Sequence, residues 1–351
     1  VVLSLSGGLD SNAVASTITE LRRAGRTAVE TSALTTVWRK DIEDDEERYA
    51  ALAAAAYQIP LELHAADGCE AFAGWDDLRV RGLEPTDEPC SAAFYGFVAA
   101  AARHARVILT GEGGDPLLYN SHEHFFRLLT RLRLDRFLFE AGGYLLRRRK
   151  RPPLNLRSQL LRALGRPPRG RPAYPSWIAS DLERRAQLRD RWQEVLVPTA
   201  RLHPYRNEAA RMLDSASWAR AFEVTDPGAS GQLVEWRSPY FDVRLVEFLF
   251  SLPPMPHFAE KDLVRESLRG RMPEDIRRRP KRALSRDPSA LAFERQRERW
   301  IREVDTAAEV ASYVDRRILT KNLREASHND YRSSQQAFAV GLSIWLTRRN
   351  R

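Results

Sequence analysis

A chain of 351 residues with 43% apolar content and a net charge of +9 is long enough for a large buried core and too apolar to be disordered throughout. No stretch approaches the roughly 18 uninterrupted apolar residues of a membrane span, and the opening "VVLSLS" lacks a charged-then-apolar leader; the chain also starts without Met, as a fragment or processed form would. Its two cysteines, Cys69 and Cys90, form neither a disulfide framework nor a CxxC metal site, so a reducing, cytoplasmic setting is expected.

In chain order, "VVLSL" (1–5), "ALTTVW" (33–38), "LELHA" (61–65) and "RVILT" (106–110) read as short apolar strands. Helical patterns lie between them at 10–24, 43–58 and 89–104, with Asp10 and Asp44 as N-caps and Pro89 in a first turn. Strand–helix alternation of this kind predicts an α/β fold, a parallel sheet flanked by helices on both faces. Ligands bind such sheets beyond the carboxyl ends of the strands. Beyond about residue 118 the pattern turns mostly helical: an amphipathic segment at 120–146, a restart near Pro175, and Pro-punctuated helices from 204 to 302. The expected division is therefore an α/β core over 1–118 and a helical elaboration over 119–351.

The positive charge is local. Residues 147–171, "RRRKRPPLNLRSQLLRALGRPPRGR", hold ten Arg or Lys and no acid, and the rest of the chain is close to neutral. With its Pro pairs and no aromatics, this reads first as a solvated insertion and second as a docking strip for a polyanion such as an acidic peptide. The lack of interleaved aromatics argues against nucleic acid.

Two polar loops carry the chemistry. "SGGLDS" (6–11) follows the first strand, and Gly7 and Gly8 let backbone N–H groups approach an anion, with Ser6 and Ser11 as hydroxyl donors and a helix N-terminus behind them. Asp10 would repel phosphate unless a divalent cation stood between them, since Mg²⁺ takes carboxylate and phosphate oxygens together. "LTGEGGDPLL" (109–118) ends the last strand in the same way, and its Asp115 is the second carboxylate for that metal. Neither loop continues into the Lys-Ser or Lys-Thr of a Walker loop, and G-x-G-x-x-G is absent from the first.

"SGGLDS" resembles the pyrophosphate loop of the ATP pyrophosphatase superfamily, and "LTGEGGD" resembles the second signature of its asparagine synthetase-type branch. "EWRSPYFDVRLVEFLFSLPP" (235–254) and "KDLVRESLRGRMPEDIRRRPKRAL" (261–284) are similar to that branch's two later segments, in the same order. The resemblance implies an adenine nucleotide alpha hydrolase-like fold and an ATP-dependent ligase: a carboxylate is adenylated with loss of pyrophosphate, and an amine then displaces AMP to form an amide. It places pyrophosphate on Ser6, Gly7, Gly8 and Ser11, Mg²⁺ on Asp10 and Asp115, and adenosine against Thr110 and Gly111. Glu112 becomes an orienter or general base beside the reacting groups, and Lys281 stabilises charge developing on the α-phosphate. A catalytically idle ATP- or peptide-binding scaffold is the alternative.

The remaining polar residues have plainer readings. Arg237 and Asp242 are expected as a packing ion pair. Asp87 and Glu88 are helix-capping or substrate-facing, and "DIEDDEERYA" (41–50) is a solvated acidic face from which Glu46 or Glu47 could reach the site. His122 and His124 lack a third metal ligand, and Cys90 lacks a base.

The chain departs from the asparagine synthetase pattern on the substrate side. Pro116 stands where an acidic residue is usual, "LLYNSHEH" replaces "F-G-G-Y", and no glutamine-hydrolysing domain precedes the first loop. The amine donor is therefore left open. It could come from a separate glutaminase, or from a peptide brought by a precursor carrier, as in the lasso-peptide cyclase and β-lactam synthetase relatives that join an internal amine to the activated carboxylate.

Overall fold

The protein is described from a computed structural model covering residues 1–75, 84–85, 88–118, 123–154, 156, 173–196, 202–280, 284–325 and 332–349. Five parallel strands form one sheet: β1 (Val2–Ser4), β2 (Ser32–Val37), β3 (Leu61–Ala65), β4 (Val107–Leu109) and β5 (Glu235–Arg237), in the order β3-β2-β1-β4-β5. Register is set by Val2 opposite Ser32 on one side and opposite Ile108 on the other. Three helices connect the first four strands: α1 (Leu9–Arg23), α2 (Glu46–Tyr57) and α3 (Ser91–Ala102).

Both faces of the sheet are covered, as the nearly continuous apolar strands require. Leu3 and Ala33 point to one face, where they join Leu9 and Ala15 of α1 and Ala53, Ala54 and Tyr57 of α2. Their neighbours Val2 and Leu34 point to the other, against Phe97, Ala100 and Ala101 of α3. The alternation follows from the two-residue period of a strand. Because α1 leaves β1 toward β2 while β4 sits on the other side of β1, the sheet reverses direction between β1 and β4. That reversal opens a crevice at the carboxyl ends of these two strands, where open α/β sheets bind ligands.

The expected strands and helices are present with boundaries shifted by one to three residues, and the α/β class holds. The caps differ. Gly8 is the N-cap of α1, which puts Asp10 inside the first turn, and Asp45 caps α2 while Asp44 accepts the Glu46 N–H at 2.9 Å. Cys90 caps α3, leaving Pro89 just ahead of the helix. The segment 120–146 is two helices, α5 (Glu123–Thr130) and α6 (Leu134–Arg148), after a short α4 (Gly114–Leu118); the break falls at Leu132, whose φ is +54°. Strand β5 went unread, because three residues with an exposed–half-buried–exposed pattern carry no apolar run.

A third cluster lies apart from the sheet. Helices Pro288–Arg295, Arg297–Thr306, Arg316–Glu325 and Arg332–Arg349 enclose Phe293, Trp300, Val304, Leu319 and Ile344, and into this core the segment after β3 inserts Ala71, Phe72 and Trp75. Phe72 meets Trp75 and Trp300 edge-on at 5.0 and 5.2 Å between ring centres. Burial of such aromatics dominates core energetics. At the opposite extreme, α6 has no fully buried residue, and Leu138, Phe139 and Leu146 are exposed. Among the described residues, no helix is long and apolar enough to cross a membrane.

Candidate active site

The loop after β1 is held by its own side chains. Ser6 and Ser11 share a hydroxyl–hydroxyl hydrogen bond of 2.8 Å; the Ser6 N–H donates to Ser11 Oγ at 3.1 Å, and the Gly8 N–H to Ser6 Oγ at 3.2 Å. Asn12, fully buried, donates its amide to the carbonyls of Ser6 and Gly8 at 2.7 and 2.8 Å. Sequence reading missed Asn12, although a buried amide in a first helical turn is well placed to satisfy loop carbonyls. The cradle is thus shaped by the fold alone.

The loop after β4 is pressed onto the first one. Thr110 is buried, its N–H donates to the carbonyl of Arg237 in β5 at 3.0 Å, and its Oγ1 accepts the Glu112 N–H at 3.2 Å. Gly111 lies against the backbone of Asp10 and Ser11. Gly114 is tighter still, since a Cβ there would stand 2.5 Å from the carboxyl carbon of Asp10. Only glycine permits that approach. The helix α4 behind it is anchored by Arg206, a buried cation whose guanidinium donates to the carbonyls of Leu117 and Leu249 and stacks 3.6 Å over the Phe258 ring; burial draws its pKa down to about 10.

The two carboxylates expected to share Mg²⁺ lie together, and the positive charge between them belongs to a side chain. Lys261 places its ammonium between them, bonding Asp10 Oδ2 and lying 2.7 Å from Asp115 Oδ1. Lys261 is 8% exposed and sits in a left-handed turn, with φ +49° at Glu260 and +62° at Lys261. Arg148, at the end of α6, ties that turn down through Glu260, Asp262 and the carbonyl of Ala259. Tyr240, buried, donates its hydroxyl to the Asp10 carbonyl at 3.3 Å, and burial together with the Asp10 charge raises the phenol well above its ordinary range. Lys261 lay within a quoted segment, but nothing in its spacing announced a contact 251 residues away.

The donor set fits a hard divalent ion. Asp10 and Asp115 offer carboxylate oxygens to one point of positive charge, and no group of three His, Cys, Asp or Glu assembles among the described residues. Mg²⁺ is characteristically held in this way, by one or two carboxylates with phosphate and water completing the shell.

Glu112 is exposed at the mouth of the crevice, yet the protein around it removes enough water to raise its carboxyl above the usual range. Glu46 reaches the first loop, as one of two acidic candidates was expected to, while Glu47 faces away and pairs with Arg39 at 2.7 Å. The expected Arg237–Asp242 pair does not form: Arg237 pairs with Glu235 at 3.0 Å, and Asp242 caps the helix Val243–Ser251 while pairing with Arg244 at 2.7 Å. Each acid found a cation two residues away, a shorter loop to close than five. Glu88 accepts from Ser289 Oγ at 3.3 Å, and His124 pairs with Glu140 of α6 rather than with a metal. Cys69 and Cys90 are free thiols in contact with each other, and burial with that contact pushes Cys90 far above thiolate range. Lys281, Asp87, His122 and most of 147–171 lie outside the described residues.

A parallel sheet with a glycine loop at its switch point and two aspartates converging beyond it defines a nucleotide-binding α/β protein of the alpha hydrolase type. Across residues 1–347 the sequence matches asparagine synthase, and the chain belongs to that family. With it, the chain joins the ATP-dependent ligases that form amides. No curated protein matches the chain.

Proposed function

We propose that this ligase adenylates a substrate carboxylate, releasing pyrophosphate, and then passes the acyl group to an amine with loss of AMP. The carboxylate oxygen attacks the α-phosphorus, the bond from that phosphorus to the bridging oxygen breaks, and pyrophosphate leaves with the electron pair. The amine nitrogen then attacks the acyl carbon, and AMP leaves as the amine proton passes to a base.

This chain's residues divide the work. Ser6, Gly7, Gly8 and Ser11 hold the departing pyrophosphate, and Thr110 and Gly111 form the wall against adenosine. Asp10 and Asp115 would hold Mg²⁺, which supplies charge neutralisation for the phosphates. Glu112, its carboxyl raised by desolvation, is suited to take the amine proton. Lys281 is assigned, through the family resemblance, to the charge developing on the α-phosphate. The amine is ammonia or an internal amine of a peptide, and the basic strip 147–171 is a candidate guide for an acidic peptide. A cytoplasmic setting suits an ATP-consuming enzyme with free thiols.

The convergence of Asp10 and Asp115 on one cation carries this reading. The test is ATP–pyrophosphate exchange with a panel of carboxylates, aspartate and precursor-type peptides among them. Exchange with one of them, abolished in Asp10→Ala, supports the ligase and names its first substrate. Absence of exchange with every carboxylate overturns it in favour of an idle binding scaffold.

A further inference from the structure

The first loop already holds an anion of the protein's own. The Gly7 N–H donates to Glu46 Oε2 at 2.7 Å, and Arg279 Nη1 donates to Glu46 Oε1 at 3.1 Å. Both side chains are largely withdrawn from water, 23% exposed for Glu46 and 11% for Arg279. The guanidinium lies 4.1 Å over the centre of the Tyr49 ring. A Cβ at Gly7 would fall 2.0 Å from Arg279 Nη1, so the glycine makes room for a cation at the loop as well as for a phosphate.

A backbone N–H and a guanidinium converging on two oxygens of one anionic group are the contacts that recognise phosphate. Resting on the reading that this loop receives pyrophosphate, we propose that Arg279 is a phosphate-binding residue of the site and Glu46 its placeholder, displaced when the nucleotide enters.

The two partners are anchored very differently. Arg279 is fixed independently of Glu46: its carbonyl accepts from Arg265 Nη2 at 3.0 Å, its N–H donates to the Ile276 carbonyl at 3.1 Å, and its guanidinium rests on Tyr49. Glu46 is the first residue of α2, and only its side-chain carboxylate meets Gly7 and Arg279, so its displacement requires no movement of the helix. Exchange of one anion for another keeps the buried guanidinium neutralised throughout, which avoids the cost of an uncompensated charge in either state. It also sets the affinity, because the incoming phosphate binds only the fraction of molecules in which Glu46 has left.

The experiment titrates magnesium pyrophosphate into the full chain by calorimetry, alongside thermal melts that establish folding. Glu46→Gln keeps the shape and removes the competing charge, and tightens binding by about five- to tenfold. Arg279→Ala weakens binding by about tenfold or more, and Arg279→Lys recovers part of that loss as a point charge without the fork. Binding that is unchanged or weaker in Glu46→Gln, or unchanged in Arg279→Ala, overturns the proposal. If wild type binds pyrophosphate and catalyses exchange while Glu46→Gln fails to tighten, the placeholder falls and the ligase reading stands. A wild type that binds no pyrophosphate overturns both.

Discussion

The two loops at the switch point solve opposite problems. The loop after β1 satisfies its polar groups from within, through Ser6, Ser11 and the buried amide of Asn12, and meets charge from elsewhere in the chain through Gly7 and Asp10. The loop after β4 adds close packing against its neighbours to its own turn bonds, with Gly114 against the Asp10 carboxyl and Arg206 clamping the helix behind it. One is a rigid receptor, and the other a lever that sets where Asp115 and the open carboxyl of Glu112 stand. Phosphate is the same in every nucleotide, so its receptor can be built into the fold; under the proposed reaction the carboxylate and amine vary, and they would meet the second loop.

That contrast can be broken most severely at Asp10, which both loops use. Asp10→Asn keeps size and removes charge, and ATP–pyrophosphate exchange should fall by about a hundredfold to a thousandfold. Lys261→Met should come next: it removes the ammonium that bridges Asp10 and Asp115 and lowers stability by about 3 kcal/mol in metal-free buffer. Added Mg²⁺ should raise the melting temperature more in this variant than in wild type, and equal shifts would separate the two carboxylates from any shared ion. Gly114→Ala attacks the contact from the side of the second loop. Its new Cβ must displace the Asp10 carboxyl, costing about 1–3 kcal/mol by chemical denaturation and reducing exchange along with it.

Smaller effects sharpen the picture. Partial desolvation by the surrounding protein raises the Glu112 carboxyl, so the base form is lost on acidification at a higher pH than for an ordinary glutamate, and amide formation should decline there first. The same shift makes the ionised residue a destabilising charge in the folded state, so Glu112→Gln should remove the acid limb of the rate profile and leave stability equal or slightly higher at neutral pH. Arg237→Ala, which breaks only an exposed pair with Glu235, should change stability by less than about 0.5 kcal/mol.

Much of this was legible in the residues. Four strands and three helices followed from apolar periodicity, and the two glycine loops announced the crevice by standing after strands rather than before them. The nearness of Asp10 and Asp115 could be expected from two acids at the exits of glycine loops, whereas the ammonium that stands between them could not. What escaped depended on distant partners. Lys261 reaches both aspartates from a left-handed turn that no pattern marks, and Arg206 binds carbonyls from two separated helices. Strand β5 exists because the edge of β4 was open, not because "EWR" has strand character of its own. Arg237 and Asp242 were paired by type, whereas each took the oppositely charged neighbour nearest in the chain.

The aromatic cluster around Trp300 has a consequence for how the molecule is made. Trp300, Leu319 and Ile344, which enclose Phe72 and Trp75, follow them by 225 residues or more. Until those residues leave the ribosome, two large rings lack most of their shelter, so a nascent chain can pair its first strands yet remains sticky and unfinished. A stop codon shortly before residue 344 should therefore yield aggregate rather than a smaller working enzyme.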